Sequence, residues 1–126
     1  MKNILVVDDD SSVLEILRRA LEGYRVWTAR DPDEGLVIAG TLLSLDLLIT
    51  DFMMPSMMGD ELVGRLRAVR PELKVLILTG HSDLLDQENP PWWANEPHLA
   101  KPVQLQQVRT KVRELIGPPQ FVQPAA

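Results

Sequence analysis

Five polar residues of this 126-residue chain stand at the ends of short apolar runs. Asp8 and Asp9 follow Ile4-Leu5-Val6-Val7, and Asp51 follows Leu47-Leu48-Ile49-Thr50. Thr79 closes Val75-Leu76-Ile77-Leu78, and Lys101 follows His98-Leu99-Ala100. Apolar runs of this length read as buried parallel strands, and ligand chemistry in open α/β sheets sits just beyond the carboxyl ends of such strands. Asp is also a common turn residue, so Asp51 taken alone is undecided. The convergence of several strand ends is what favours chemistry. Clustered carboxylates repel one another and raise at least one pKa unless a cation compensates, and oxygen-only ligands with room for water suit Mg2+. A lysine and a hydroxyl beside that ion would neutralise and hydrogen-bond phosphoryl oxygens. A carboxylate among them can then act as the nucleophile and form an acyl phosphate.

Such a constellation needs a frame of strands alternating with helices, and the chain supplies one. After residues 4–7, Val13, Ile16, Leu17, Ala20 and Leu21 recur at helical spacing. Ser12 with Glu15 matches a capping box there, and Gly23 supplies the stop. Residues 25–29 are the second strand. In the helix after it, Asp31 caps, Pro32 fits the first position and Glu34 closes a capping box, and the helix runs to about Gly40. Residues 46–50 form the third strand. Residues 59–69 carry Leu62, Leu66 and Val69 on one stripe before Pro71. Residues 74–79 and 98–100 form the last two strands, and the final helix aligns Leu105, Val108, Val112 and Leu115 before Gly117-Pro118-Pro119. Repeated βαβ units predict an α/β fold: a compact three-layer domain around a parallel sheet of about five strands. Between the fourth and fifth strands, Asn89-Pro90-Pro91 must stop any helix, so the fourth helix is expected to be shortened or irregular.

Composition narrows the function classes. With 18 Asp+Glu against 13 Lys+Arg, the formal charge is −5, which disfavours a surface built for nucleic acid. Cys is absent, removing disulfides, thiolate metal sites and cysteine nucleophiles. The short apolar segment after Met1-Lys2-Asn3 meets Asp8 too soon for a signal peptide or membrane span, and the chain reads as cytoplasmic. One domain over residues 1–117 is expected, with residues 118–126 as a C-terminal tail or the start of a linker.

Together, Val7-Asp8-Asp9, Thr50-Asp51-Phe52-Met53-Met54-Pro55 with Gly59, Leu78-Thr79-Gly80 and Ala100-Lys101-Pro102 resemble the receiver domains of two-component response regulators. The resemblance runs from about Lys2 to Ile116 and implies a flavodoxin-like (βα)5 fold with a five-stranded parallel sheet. It implies phosphorelay signalling, in which a phosphoryl group passes from a phosphohistidine of a sensor histidine kinase or phosphotransfer protein to Asp51. It further implies that Asp9, Asp8 acting through a water, Asp51 and the Met53 backbone carbonyl hold Mg2+, or Mn2+ in its place. Thr79 would bond the phosphoryl oxygens, Gly80 would stay small beside it, Lys101 would pair with the group, and the bond into Pro102 would be cis. By this resemblance the domain is not an enzyme acting on other molecules. It catalyses only its own phosphorylation and dephosphorylation. Aspartyl-nucleophile phosphohydrolases commonly need a second acid two positions on, and that position is Met53.

Several positions depart from the family pattern. Asp10 extends the acidic run, with helix capping the plainer role and a metal role the other. His98 stands where the family usually carries the Tyr or Phe of its switch, and a histidine's charge can change near neutral pH. His81 lies near the site rim. There it either affects water access together with Met53 or is simply a surface histidine. Trp92 and Trp93 either fold inward over exposed core, the favoured reading, or anchor a partner. An alternative function follows from them: a phosphate-independent binding module acting through residues 89–97. No helix-turn-helix or catalytic segment follows Ile116, so a stand-alone receiver and one domain of a larger protein are both open, and the downstream effector is not encoded.

Overall fold

A computed structural model describes residues 1–52, 59–80 and 96–121. The strands are β1 (Asn3–Val7), β2 (Arg25–Ala29), β3 (Leu47–Asp51), β4 (Lys74–Thr79) and β5 (His98–Ala100). Among the described residues the helices are α1 (Ser11–Ala20), α2 (Pro32–Thr41), α3 (Gly59–Val69) and α4 (Leu105–Ile116). All strand pairs are parallel, in the order β2-β1-β3-β4-β5, so the fold is the expected α/β, flavodoxin-like arrangement. The chain reverses its direction of travel across the sheet between β1 and β3, which opens a crevice at their carboxyl ends.

Strand alternation divides the core in two. Ile4, Val6, Leu47, Ile49, Leu76 and Leu78 point to the layer holding Val13, Leu14, Leu17, Val108 and Val112 of α1 and α4. Leu5, Val7, Leu48, Val75 and Ile77 point to the layer holding Ala39, Leu62, Val63 and Leu66 of α2 and α3. β3 is buried along its whole length, as a central strand covered on both faces must be. α2 lies close to β1: a Cβ on Gly35 would come within 2.9 Å of a Val7 methyl.

Four local expectations are corrected. Asp10 is the N-cap of α1, its carboxylate accepting the Ser12 N–H, so the Ser12–Glu15 box does not form and Asp10 serves as the cap. Val69 is 80% exposed, and Val63 takes the buried place on α3 instead. β3 extends one residue further than expected and includes Asp51 itself. In α2, Asp31 caps as expected, although Glu34 reaches back to the N–H of Arg30 rather than to that of Asp31. The expectations for Met53, Pro55, His81, Trp92, Trp93, the shortened fourth helix and the tail beyond Phe121 fall outside the described residues.

Candidate functional site at the carboxyl edge of the sheet

Adjacent strands carry the acidic residues to one place. β1 delivers Asp8, whose backbone N–H bonds the Ala29 carbonyl at 3.1 Å, and the neighbouring β3 ends on Asp51. One oxygen each from Asp8, Asp9 and Asp51 lies within 4.8 Å of the others. Asp8 is fully buried, Asp51 is 8% exposed and Asp9 is exposed. Asp8 Oδ1 accepts the Asp10 backbone N–H at 2.9 Å, an Asx turn that fixes the carboxylate. Sequence reasoning had no role for this amide, although the Asp8-Asp9-Asp10 run is the pattern that makes such a turn.

β5 brings the compensating cation. Lys101 Nζ lies 3.0 Å from Asp8 Oδ2 and 3.2 Å from Asp51 Oδ2. The Lys101 backbone N–H is anchored at 2.7 Å to the Thr79 carbonyl, and the Lys101–Pro102 peptide bond is cis. Burial pushes the Asp8 carboxyl above the ordinary aspartate range, and the Asp10 N–H and Lys101 oppose that rise without cancelling it. For Lys101, burial works to lower the pKa, but Asp8 and Asp51 together outweigh it and hold the ammonium above the usual lysine value.

Thr79 is buried at the end of β4, its Oγ1 3.5 Å from the Leu99 carbonyl. That separation is too long for a strong O–H···O bond. Gly80 follows directly at the edge. His98 is not part of the acidic group among the described residues; it is exposed at the first position of β5, with Nδ1 3.1 Å from the Glu96 carbonyl. Asp10 is also outside the three-carboxylate group among the described residues, consistent with its capping role.

Among the described residues the donor set fits a hard divalent cation: three carboxylates, no nitrogen or sulfur ligand, and a buried Asp8 whose charged form needs positive charge nearby. Residues 4–113 match the family model of the response regulator receiver domain. The chain belongs to that family. Response regulator MprA of Mycobacterium ulcerans (strain Agy99) is 35% identical over 90% of this receiver domain and 49% of that protein. The alkaline phosphatase synthesis transcriptional regulatory protein PhoP of Bacillus subtilis (strain 168) is 31% identical over 99% of this chain and 52% of that protein. The chain thus spans about half the length of these curated relatives. Among solved structures, a response regulator receiver domain protein from Clostridium thermocellum superposes with a TM-score of 0.78 at 33% identity, covering 92% of this chain and 94% of that one. A CheY-like receiver domain protein from Methanospirillum hungatei JF-1 gives 0.74 at 30% identity over 90% and 92%.

Proposed function

We propose that this receiver domain accepts a phosphoryl group on Asp51 from a phosphohistidine of a sensor histidine kinase or phosphotransfer protein, in a reaction that depends on Mg2+. The observation that carries the reading is the Lys101 ammonium held between Asp8 and Asp51 beside a third carboxylate, Asp9. Asp8, Asp9, Asp51 and the Met53 carbonyl would hold Mg2+, or Mn2+ in its place, which when bound supplies positive charge against the carboxylates and the phosphoryl oxygens.

The remaining work falls to the chain's own groups. An Asp51 carboxylate oxygen attacks the phosphorus. The phosphorus–nitrogen bond to the donor imidazole breaks, and its electron pair stays on that nitrogen. Lys101 exchanges its contact with Asp51 for a phosphoryl oxygen, so no buried cation is left unpaired. The Thr79 hydroxyl, weakly engaged with the Leu99 carbonyl, turns to donate to another oxygen. Gly80 adds no side chain at the approach. The product changes the surface offered to partners, and the domain's own chemistry ends with loss of the phosphoryl group to water.

A cytoplasmic setting suits this reading. Among the described residues no helix is long and apolar enough to cross a membrane. The net charge of −5 favours protein partners over direct nucleic-acid contact.

Incubation with Mg2+ and a small acyl-phosphate donor, followed by intact mass measurement, tests the proposal. One phosphoryl group is expected on the wild type and none on Asp51→Asn or in the presence of a chelator. A folded wild type that neither gains phosphate nor binds beryllium fluoride would overturn it.

A further inference from the structure

The segment after α4, which reads from sequence as a tail, lies against the turn between α1 and β2. Gly117 ends α4 with φ +92, and the Tyr24 phenol donates to its carbonyl at 2.6 Å. Three residues on, the Gln120 backbone N–H donates to the Gly23 carbonyl at 2.9 Å. Gly23 itself has φ +92, and a Cβ there would lie 2.5 Å from Pro119 Cβ, 3.1 Å from the Phe121 ring and 3.2 Å from Gln120 N. Glycine is therefore required at Gly23 twice, by the backbone conformation and by the chain packed on top of it. Tyr24, Arg109, Arg113, Pro119 and Phe121 line a hollow of about 220 Å3 beside this contact.

We propose that residues 117–121 form a docked strap, seated on a socket at Gly23, that fixes where the chain leaves the domain. The socket precedes β2, so it lies at the amino edge of the sheet, opposite Asp51. α1 begins beside Asp8 to Asp10, and α4 begins shortly after Lys101. Both helices end at the strap, and Arg109 of α4 also bonds the Ala20 and Arg19 carbonyls of α1. The strap thus ties together the far ends of the two helices whose near ends adjoin the acidic group. Over residues 117–121 the chain is therefore held against the domain, unlike a flexible tether.

Amide hydrogen exchange on the full chain tests the strap. The Gln120 N–H should exchange about tenfold or more slowly than in an unstructured peptide, because the bond to Gly23 must open first. In Gly23→Ala that protection should vanish while the Leu5 and Ile49 amides stay protected. Should Gly23→Ala fail to fold, the double substitution Pro119→Ala and Phe121→Ala leaves the socket intact and should free the same amide. Exchange of Gln120 at the unstructured rate in the wild type would overturn the strap. So would wild-type protection of Gln120 in either folded variant.

Discussion

At the carboxyl edge of the sheet Asp8 and Asp51 hold Lys101 between them with Asp9 beside the two carboxylates, whereas at the amino edge arginine side chains meet backbone carbonyls. Arg70 donates to the Ala39 and Leu42 carbonyls at 2.9 and 2.7 Å at the end of α2. Arg109 does the same for the end of α1, and Arg67 reaches the Leu73 carbonyl while pairing with Glu96. Carbonyls at a helix C-terminus carry partial negative charge and lack intrahelical partners, so each arginine there satisfies groups that would otherwise face water. At the other edge the like charges repel, and Asp8 is held in a setting that penalises its charged form. One edge uses charge to close the fold; the other gathers carboxylates whose repulsion and burial Lys101 offsets only in part.

The largest expected contrast is in phosphate uptake. Asp51→Asn should abolish incorporation from a small acyl-phosphate donor, while Arg70→Ala should leave it at the wild-type level. Intact mass measurement of both variants separates the two edges, and loss of uptake in folded Arg70→Ala would show that they are not independent.

Lys101→Ala sharpens the comparison from the stability side. Removing the cation leaves Asp8 buried without its ion pair, and the partly exposed lysine suggests a cost of about 2 kcal/mol, below that of a fully buried pair. Mg2+ should then raise the melting temperature of the variant more than that of the wild type, because no resident ammonium competes with it. Equal shifts in melts with Mg2+ and with chelator would mean that Lys101 does not offset the carboxylates. Arg70→Ala should be milder, about 1.5 kcal/mol in urea unfolding, for two charge-assisted bonds at a partly buried position.

The two edges also differ in how far the sequence reveals them. Strand-end polar residues are visible because each interrupts an apolar run, so Asp8, Asp51, Thr79 and Lys101 could be placed before any contact was known. The alternation of Ile4, Leu5, Val6 and Val7 likewise specifies two core layers. The amino edge depends on pairs far apart in the chain, such as Arg70 with Ala39 and Tyr24 with Gly117, which no local pattern encodes. Val69 shows the same limit on one helix: its spacing from Leu62 and Leu66 fits a stripe, yet Val63 lies closer to the buried side. The docking of residues 117–121 was illegible for a related reason. Gly117-Pro118-Pro119 announces the end of a helix, but the socket that receives the chain is Gly23, almost a hundred residues earlier.

Tyr24 gives the smallest and most local test of the amino edge. Its hydroxyl bonds the Gly117 carbonyl, so Tyr24→Phe should cost about 1 kcal/mol and speed exchange of the Gln120 amide without touching phosphate uptake. Burial raises the phenol pKa above its ordinary 10.0, with the Arg113 charge opposing the rise. An acid with a raised folded-state pKa binds more protons folded than unfolded between the two values, so stability falls as pH increases there. The contribution of Tyr24 is therefore intact below pH 10.0 and lost as pH climbs through the raised value, where a phenolate can no longer donate to Gly117. Urea unfolding of wild type and Tyr24→Phe across that alkaline range should show the two stabilities converging. Parallel curves would mean that the phenol proton does not hold the strap.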